Sequence, residues 1–277
     1  MNGKVSGLKR DNNKIDKYYT IEENVILCIE NVKKEIDVDK ERDLIIEPSA
    51  GNGAFINPIK ELCNNYCFYD IEPEHCEIKK EDFLTLCIEK RYRKIHIIGN
   101  PPFGRQSSMV IKFIKKSCSF CDTISFILPK SFKKSSMREK FNEYFHLQKQ
   151  IDLSNNSFLK NNTTIKIPCV FQIWEKRPTP RIKEPLQTTL IFKFVKKNEN
   201  PDVSFRRVGV NAGKVSKETT NKNPQSHYFI KFNNDGNVDE YIEKIKSIEF
   251  EKDNTVGPRS ISKKELINEF NKFKLSN

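Results

Sequence analysis

The run Asn100-Pro101-Pro102-Phe103 holds residue types that suit one particular kind of chemistry. The exocyclic amine of adenine has its lone pair delocalised into the ring, which makes it a poor nucleophile. The Asn100 side-chain oxygen and the Pro101 carbonyl can each accept one of its N–H hydrogens. That favours a tetrahedral nitrogen with a localised lone pair. Two consecutive prolines stiffen the backbone, so both acceptors stand ready at low entropic cost. Phe103 offers a flat face on which a base can stack. The plain alternative for a Pro-Pro pair is a rigid loop.

A second constellation precedes it. Leu44-Ile45-Ile46 reads as a buried strand that runs into Glu47-Pro48-Ser49-Ala50-Gly51-Asn52-Gly53-Ala54-Phe55. Gly51 and Gly53 let the backbone approach a ligand closely and adopt positive φ. A helix is expected from about Phe55 to Cys63, followed by a strand, Cys67-Phe68-Tyr69-Asp70. Asp70 at that strand's end can accept both hydroxyl hydrogens of a ribose; otherwise it is a surface carboxylate near a turn. In an open α/β sheet, ligands bind at the carboxyl ends of the strands. Strand, glycine loop, helix, strand and acid together suggest an adenosine-containing cofactor.

The elements that must position these residues alternate. Ile21, Val25, Ile26, Ile29, Val32 and Ile36 make one helical face, with Thr20 as the expected N-cap. Ile95-His96-Ile97-Ile98 is a strand leading into Asn100, and Met109 to Lys116 is an amphipathic helix. Thr123 to Leu128 is a strand stopped by Pro129, and Gln150-Ile151-Asp152-Leu153 and Pro168 to Trp174 are the last sheet strands. This order predicts a mostly parallel α/β sheet. Pro178 and Pro180 mark a break. Beyond it, Leu190 to Val195 and Tyr228 to Phe232 are strand-like, and Ser262 to Phe273 is helical.

These motifs resemble the class I S-adenosylmethionine-dependent methyltransferases that act on adenine N6, over roughly residues 17–176. Glu47, Pro48, Ala50, Gly51 and Gly53 look like the family's cofactor loop. Asp70 and Ile71 look like its ribose motif, Asp82-Phe83 like the pair that holds the cofactor's adenine, and Tyr18-Tyr19-Thr20 like the upstream motif that contacts the methionine moiety. Asn100, Pro101, Pro102 and Phe103 match the catalytic motif, with Asn100 also near the cofactor. The family usually has proline after that threonine, where this chain has Ile21.

The resemblance implies a Rossmann-like class I methyltransferase sheet with a small C-terminal lobe or elaboration. It divides the chain into an arm (1–17), a methyltransferase domain (18–176) and a basic C-terminal region (177–277) that could recognise the target. It implies S-adenosyl-L-methionine as cofactor, no metal, and methyl transfer to adenine in DNA or RNA. Protein glutamine-N5 or guanine-N2 methylation is an alternative, as is a non-catalytic nucleic-acid-binding subunit of a methyltransferase complex.

The bulk composition agrees. Net charge is +12 across 277 residues, which favours a polyanionic partner. Lys130, Lys133, Lys134, Arg206 and Arg207 are the candidates for phosphate contact, though the lysine cluster also reads as a solvated helix face. The eight cysteines sit mostly beside Leu, Ile or Phe, as small buried hydrophobes do. No run of about 18 apolar residues suggests a membrane span, and an intracellular, cytoplasmic or nuclear protein is expected, with a partner subunit allowed for.

Overall fold

The computed structural model describes residues 18–89, 91–154, 158–160, 163–165, 167–182, 188–233, 238–250 and 259–272. The expected N-terminal arm lies outside them. The chain begins with β1 (Tyr19–Thr20) and α1 (Glu22–Glu35), then β2 (Leu44–Glu47), α2 (Ile56–Leu62), β3 (Tyr66–Asp70), β4 (Lys79–Lys80) and β5 (Ile95–Gly99). There follow α3 (Ser108–Cys118), β6 (Thr123–Pro129), a single turn α4 (Ser135–Arg138), β7 (Phe145–Asp152), β8 (Phe158–Lys160), β9 (Thr163–Ile165) and β10 (Cys169–Lys176).

Seven strands form one sheet in the order β4-β3-β2-β5-β6-β10-β7. The pairs β3–β4, β2–β3, β2–β5 and β5–β6 are all parallel. Every residue of β2, β5 and β6 is buried, which explains their unbroken apolar runs: a parallel strand covered on both faces has no polar side to alternate with. This is the open Rossmann-like α/β architecture expected from the sequence. The order reverses between β2 and β5, the place where such sheets open a crevice at their carboxyl ends.

Two local expectations change. Thr20 does not cap α1. Ile21 takes that place without a side-chain cap, because Thr20 is drawn into β1. Ile26, placed by spacing on the apolar face, is 49% exposed, and the buried face also takes Asn24, Cys28 and Asn31. The hairpin β8–β9, which pairs with β1, gave no signal in the sequence.

At the amino ends of β2 and β5, Asp43 is fully buried. It accepts hydrogen bonds from Arg93 Nε (2.8 Å) and Nη2 (2.6 Å) and from the amides of Asp39 (2.7 Å) and Lys94 (3.1 Å). Burial alone would raise its pKa. The bonds from Arg93, the Asp39 amide and His96 outweigh that and hold the carboxyl well below the usual range. His96 Nε2 lies 3.1 Å from Asp43 and its Nδ1 lies 2.8 Å from the Thr123 hydroxyl. Burial lowers its pKa against the pull of Asp43. A neutral ring that donates from Nε2 and accepts at Nδ1 satisfies both contacts.

The chain divides into two compact units. The first runs to Ile127 and takes in Leu147–Ile167 and Phe171–Glu175. The second holds Leu128–His146, Pro168–Val170 and the chain from Lys176 onward. In the second unit, β11 (Phe192–Val195), β12 (Val203–Arg206), β13 (Val215–Ser216) and β14 (His227–Phe232) form an antiparallel sheet in the order β11-β14-β12-β13. Helices α5 (Val238–Ser247) and α6 (Lys263–Lys272) supply Ile242, Ile245, Leu266 and Phe270 to a core shared with Phe192, Phe205 and Phe232. α6 opens with a capping box: the Ser262 amide donates to Glu265 Oε2 (2.7 Å) and the Glu265 amide donates to Ser262 Oγ (3.1 Å). Among the described residues, no helix is long and apolar enough to cross a membrane.

Asp43→Ala leaves the amides of Asp39 and Lys94 and the buried His96 ring without their acceptor. It is expected to lower the unfolding free energy by about 1–3 kcal/mol, read from urea denaturation. In the wild type the carboxylate's contribution is full above pH about 4 and declines as pH falls through the depressed folded value.

Candidate functional site

A cleft of about 190 Å³ opens at the carboxyl ends of β2, β3 and β5. Tyr18, Tyr19, Pro48, Gly51, Asp70, Ile71, Asp82, Phe83, Asn100, Pro101, Pro102 and Phe103, twelve of the residues singled out from the sequence, line it. A smaller recess of about 40 Å³ is lined by Thr20, Glu47, Ala50 and again Asn100. Gly53 lines neither. At φ +87° a Cβ there would fall 2.7 Å from Ile56 Cδ1, so this glycine serves the turn into α2.

The glycine loop is held by the acid. Asp70 Oδ2 accepts from the Gly51 amide (2.8 Å) and Oδ1 from the Glu72 amide (2.8 Å). Gly51 itself has φ +53°, and a Cβ there would meet the Tyr19 ring at 3.7 Å. Tyr19 Oη in turn donates to Glu74 Oε1 at 2.6 Å.

Glu47, the last residue of β2, is 2% exposed, and its Oε2 is buried without a partner among the described residues. Burial and the charge of Asp70 push its pKa up to about 8. Gly99 at the end of β5 makes room for it, since a Cβ there would lie 3.1 Å from Glu47 Cγ.

Asn100 follows directly. Its backbone oxygen accepts from Ser49 Oγ (3.1 Å), and its Nδ2 faces the Tyr18 carbonyl (3.4 Å) and the Thr20 hydroxyl (3.3 Å). Its Oδ1 is buried and has no partner among the described residues. Beyond the motif, Gly104 (φ +66°), Gln106 (φ +52°) and Ser107 (φ +61°) turn the chain tightly into α3. A Cβ on Gly104 would fall 2.7 Å from Met109 Cγ.

The cleft's apolar wall is formed by Phe83, Phe113 and Met109. Phe83 is buried and stacks on Phe113, with centroids 5.4 Å apart. Asp82 turns the chain before Phe83, accepting from the Leu84 amide at 2.9 Å. Ser49, Met109 and Phe113 were not singled out from the sequence. The spacing of Met109 and Phe113 on one face of α3 is the signal that could have found the last two.

The basic candidates lie in the second unit, and their surroundings differ. Lys134 Nζ donates to the Ser260 carbonyl (2.7 Å) and pairs with Glu265 (3.1 Å), so its charge is used within the fold. Arg206 Nε donates to the Val208 carbonyl (2.9 Å). The Arg207 guanidinium lies 5.2 Å from the Tyr228 ring centroid. Lys130 and Lys133 sit in a turn that follows β6. Cys28, Cys63, Cys121 and Cys169 are buried, and Cys76 and Cys87 are exposed.

No family model matches the chain, and no curated protein matches it. Solved structures resemble part of it. A Pyrococcus horikoshii protein provisionally assigned as an RNA methyltransferase aligns at 14% identity over 60% of this chain and 90% of its own, with a TM-score of 0.47. A Listeria monocytogenes protein provisionally assigned as a class I S-adenosylmethionine-dependent methyltransferase aligns at 12% over 63% and 66%, with a TM-score of 0.45. An rRNA methylase from Streptococcus thermophilus aligns at 13% over 54% and 94%, with a TM-score of 0.37. These likenesses are too distant to carry function to this chain, whose chemistry stands on its own residues.

Asp70→Ala releases the amides of Gly51 and Glu72. Hydrogen exchange at those two amides is expected to speed up, with the loop losing about 1.5–3 kcal/mol of protection and the sheet remaining protected. Equal exchange in the mutant would show that the loop holds itself.

Proposed function

We propose that the protein transfers a methyl group from S-adenosylmethionine to the N6 amino group of adenine in a nucleic acid. The observation that carries this reading is the Asn100 side-chain oxygen, a buried acceptor without a partner among the described residues, in a cleft with an apolar wall beside a glycine loop. Burying such an acceptor unpaired costs about 1–3 kcal/mol, a cost that a ligand N–H would offset.

The residues present fit the cofactor. Asp70 would take the ribose hydroxyls, and Asp82 with Phe83, Phe113 and the half-exposed Ile71 would enclose the adenine. Glu47 is a buried carboxyl whose Oε2 has no partner among the described residues, suited to the amino-acid ammonium. When bound, the cofactor supplies an electrophilic methyl group on a positively charged sulfur.

The chain supplies position and field. Asn100 Oδ1 and the Pro101 carbonyl accept the two amine hydrogens, so the nitrogen lone pair points out of the ring plane. Once the amine took up the methyl group that the cofactor would supply, releasing it from sulfur, its surplus proton would pass to solvent. No strong base is required, because the leaving group is already activated. Phe103 holds the base by stacking, and in a duplex the base would first have to leave the helix.

The net charge of +12 suits a phosphate backbone. We assign backbone contacts to Lys130, Lys133, Arg206 and Arg207, and target recognition to the C-terminal lobe. Lys134 stays in the fold.

Asn100→Ala is expected to abolish methyl transfer while S-adenosylhomocysteine still binds. The assay uses labelled S-adenosylmethionine with DNA and RNA, followed by nucleoside analysis for N6-methyladenine. Methylated guanine or protein glutamine would replace the adenine reading with its alternatives. No transfer by the wild type alone, with nucleic acid still bound, would favour the non-catalytic subunit.

Glu47 gives a second expectation. A ligand ammonium favours its ionised form, so below pH about 8 binding releases a proton. Affinity for S-adenosylhomocysteine is expected to rise as pH increases from 6, by up to about tenfold per pH unit for one proton, and to level off above 8. Calorimetry in buffers of different ionisation enthalpy counts the proton, and Glu47→Gln should remove the slope.

A further inference from the structure

An asparagine amide can present either end to a ligand, and only one end suits an incoming amine. The Tyr18 main-chain oxygen can only accept, so the atom of Asn100 that faces it at 3.4 Å must be the N–H-bearing Nδ2. The Thr20 hydroxyl, 3.3 Å away, accepts the second hydrogen. With both hydrogens directed at Tyr18 and Thr20, Oδ1 is the end left over, and it is the atom without a partner among the described residues.

We propose that Thr20 is a positioning residue for methyl transfer, its hydroxyl acting with the Tyr18 carbonyl to hold the Asn100 amide so that oxygen, and not the NH2 group, meets the target amine. The proposal rests on the adenine-methylation reading for its kinetic consequences, and on geometry alone for the orientation.

Thr20 is well placed for this. It is 9% exposed and occupies the second position of a two-residue strand. That strand cannot hold its own height, and pairing with β8, Tyr19 to Leu159 and Thr20 to Phe158, holds it. β8 is paired in turn with β9. The hairpin inserted between β7 and β10 therefore sets where the Tyr18 carbonyl and Thr20 hydroxyl stand beneath Asn100. Each bond is long and individually weak. Without the hydroxyl, one amide hydrogen loses its acceptor, and rotation about χ2 sets an N–H donor against the donors of the amine.

The test compares Thr20→Val, which keeps the shape and loses the hydroxyl, with Thr20→Ser, which keeps it. Thr20→Val is expected to lower kcat about 5- to 10-fold, the weight of one neutral hydrogen bond, over and above any change in the S-adenosylhomocysteine Kd. Thr20→Ser should restore kcat. Independently of turnover, the Asn100 side-chain amide gives an NMR signal pair, assigned by its loss in Asn100→Ala. In Thr20→Val one of the two protons should move upfield and exchange faster, and in Thr20→Ser both should match wild type.

An unchanged amide signal in Thr20→Val overturns the proposal, as does an unchanged kcat, or a loss confined to cofactor affinity. A wild type that methylates no adenine sinks the functional reading, and the amide signals still decide the orientation.

Discussion

The parallel pairing of β2 with β5 is the contact on which the site depends. Its register, Leu44 to Ile95, Ile45 to His96 and Ile46 to Ile97, sets the ends of two strands side by side. The glycine loop leaves one end and the Asn-Pro-Pro-Phe motif leaves the other. The pairing tolerates the bulk of Glu47 between the two ends because Gly99 has no Cβ to oppose it. At the opposite ends of the same strands, the buried Asp43 accepts from Arg93 and from the neutral His96 ring, which fixes the register a second time. A slip of one residue would turn each strand's side chains to the opposite face and separate Glu47 from Gly99.

Two polar atoms are left unsatisfied at the carboxyl ends, Glu47 Oε2 and Asn100 Oδ1. The contrast with Asp43 is informative. That carboxylate has every lone pair occupied and is held ionised. Glu47 is pushed towards the protonated form by its burial and by the charge of Asp70. The same side-chain chemistry thus serves stability at one end of the sheet and stays available at the other. Buried groups without partners are costly, and these two lie at the cleft and its adjoining recess.

Neither end of the site is held by its own element alone. Gly51 is fixed by Asp70 from β3, and the Asn100 amide is fixed by Tyr18 and Thr20, at a strand that is itself paired with the β8–β9 hairpin. The tight backbone at Gly104, Gln106 and Ser107 then brings α3 in at an angle that sets Met109 and Phe113 into the wall.

Much of this was legible in the sequence. The apolar runs of β2, β5 and β6 announce strands buried on both faces, and the helices α1, α2 and α3 fall within a residue or two of their expected limits. The glycine loop, Asp70 and Asn100-Phe103 could be named from residue type and local order, because turn chemistry and periodicity are properties of short segments. The partners were not legible. Gly51 finds Asp70 19 residues away, and Asn100 finds Tyr18 82 residues away. Which atom of the Asn100 amide remains unpaired follows from that second meeting alone. Thr20 reads locally as a helix cap, and Lys134 as an exposed cation. Tertiary structure made the first a neighbour of Asn100 and bound the second to Glu265. Strand order and register decide such encounters, and they depend on how whole elements pack, for which no short stretch of sequence carries a signal.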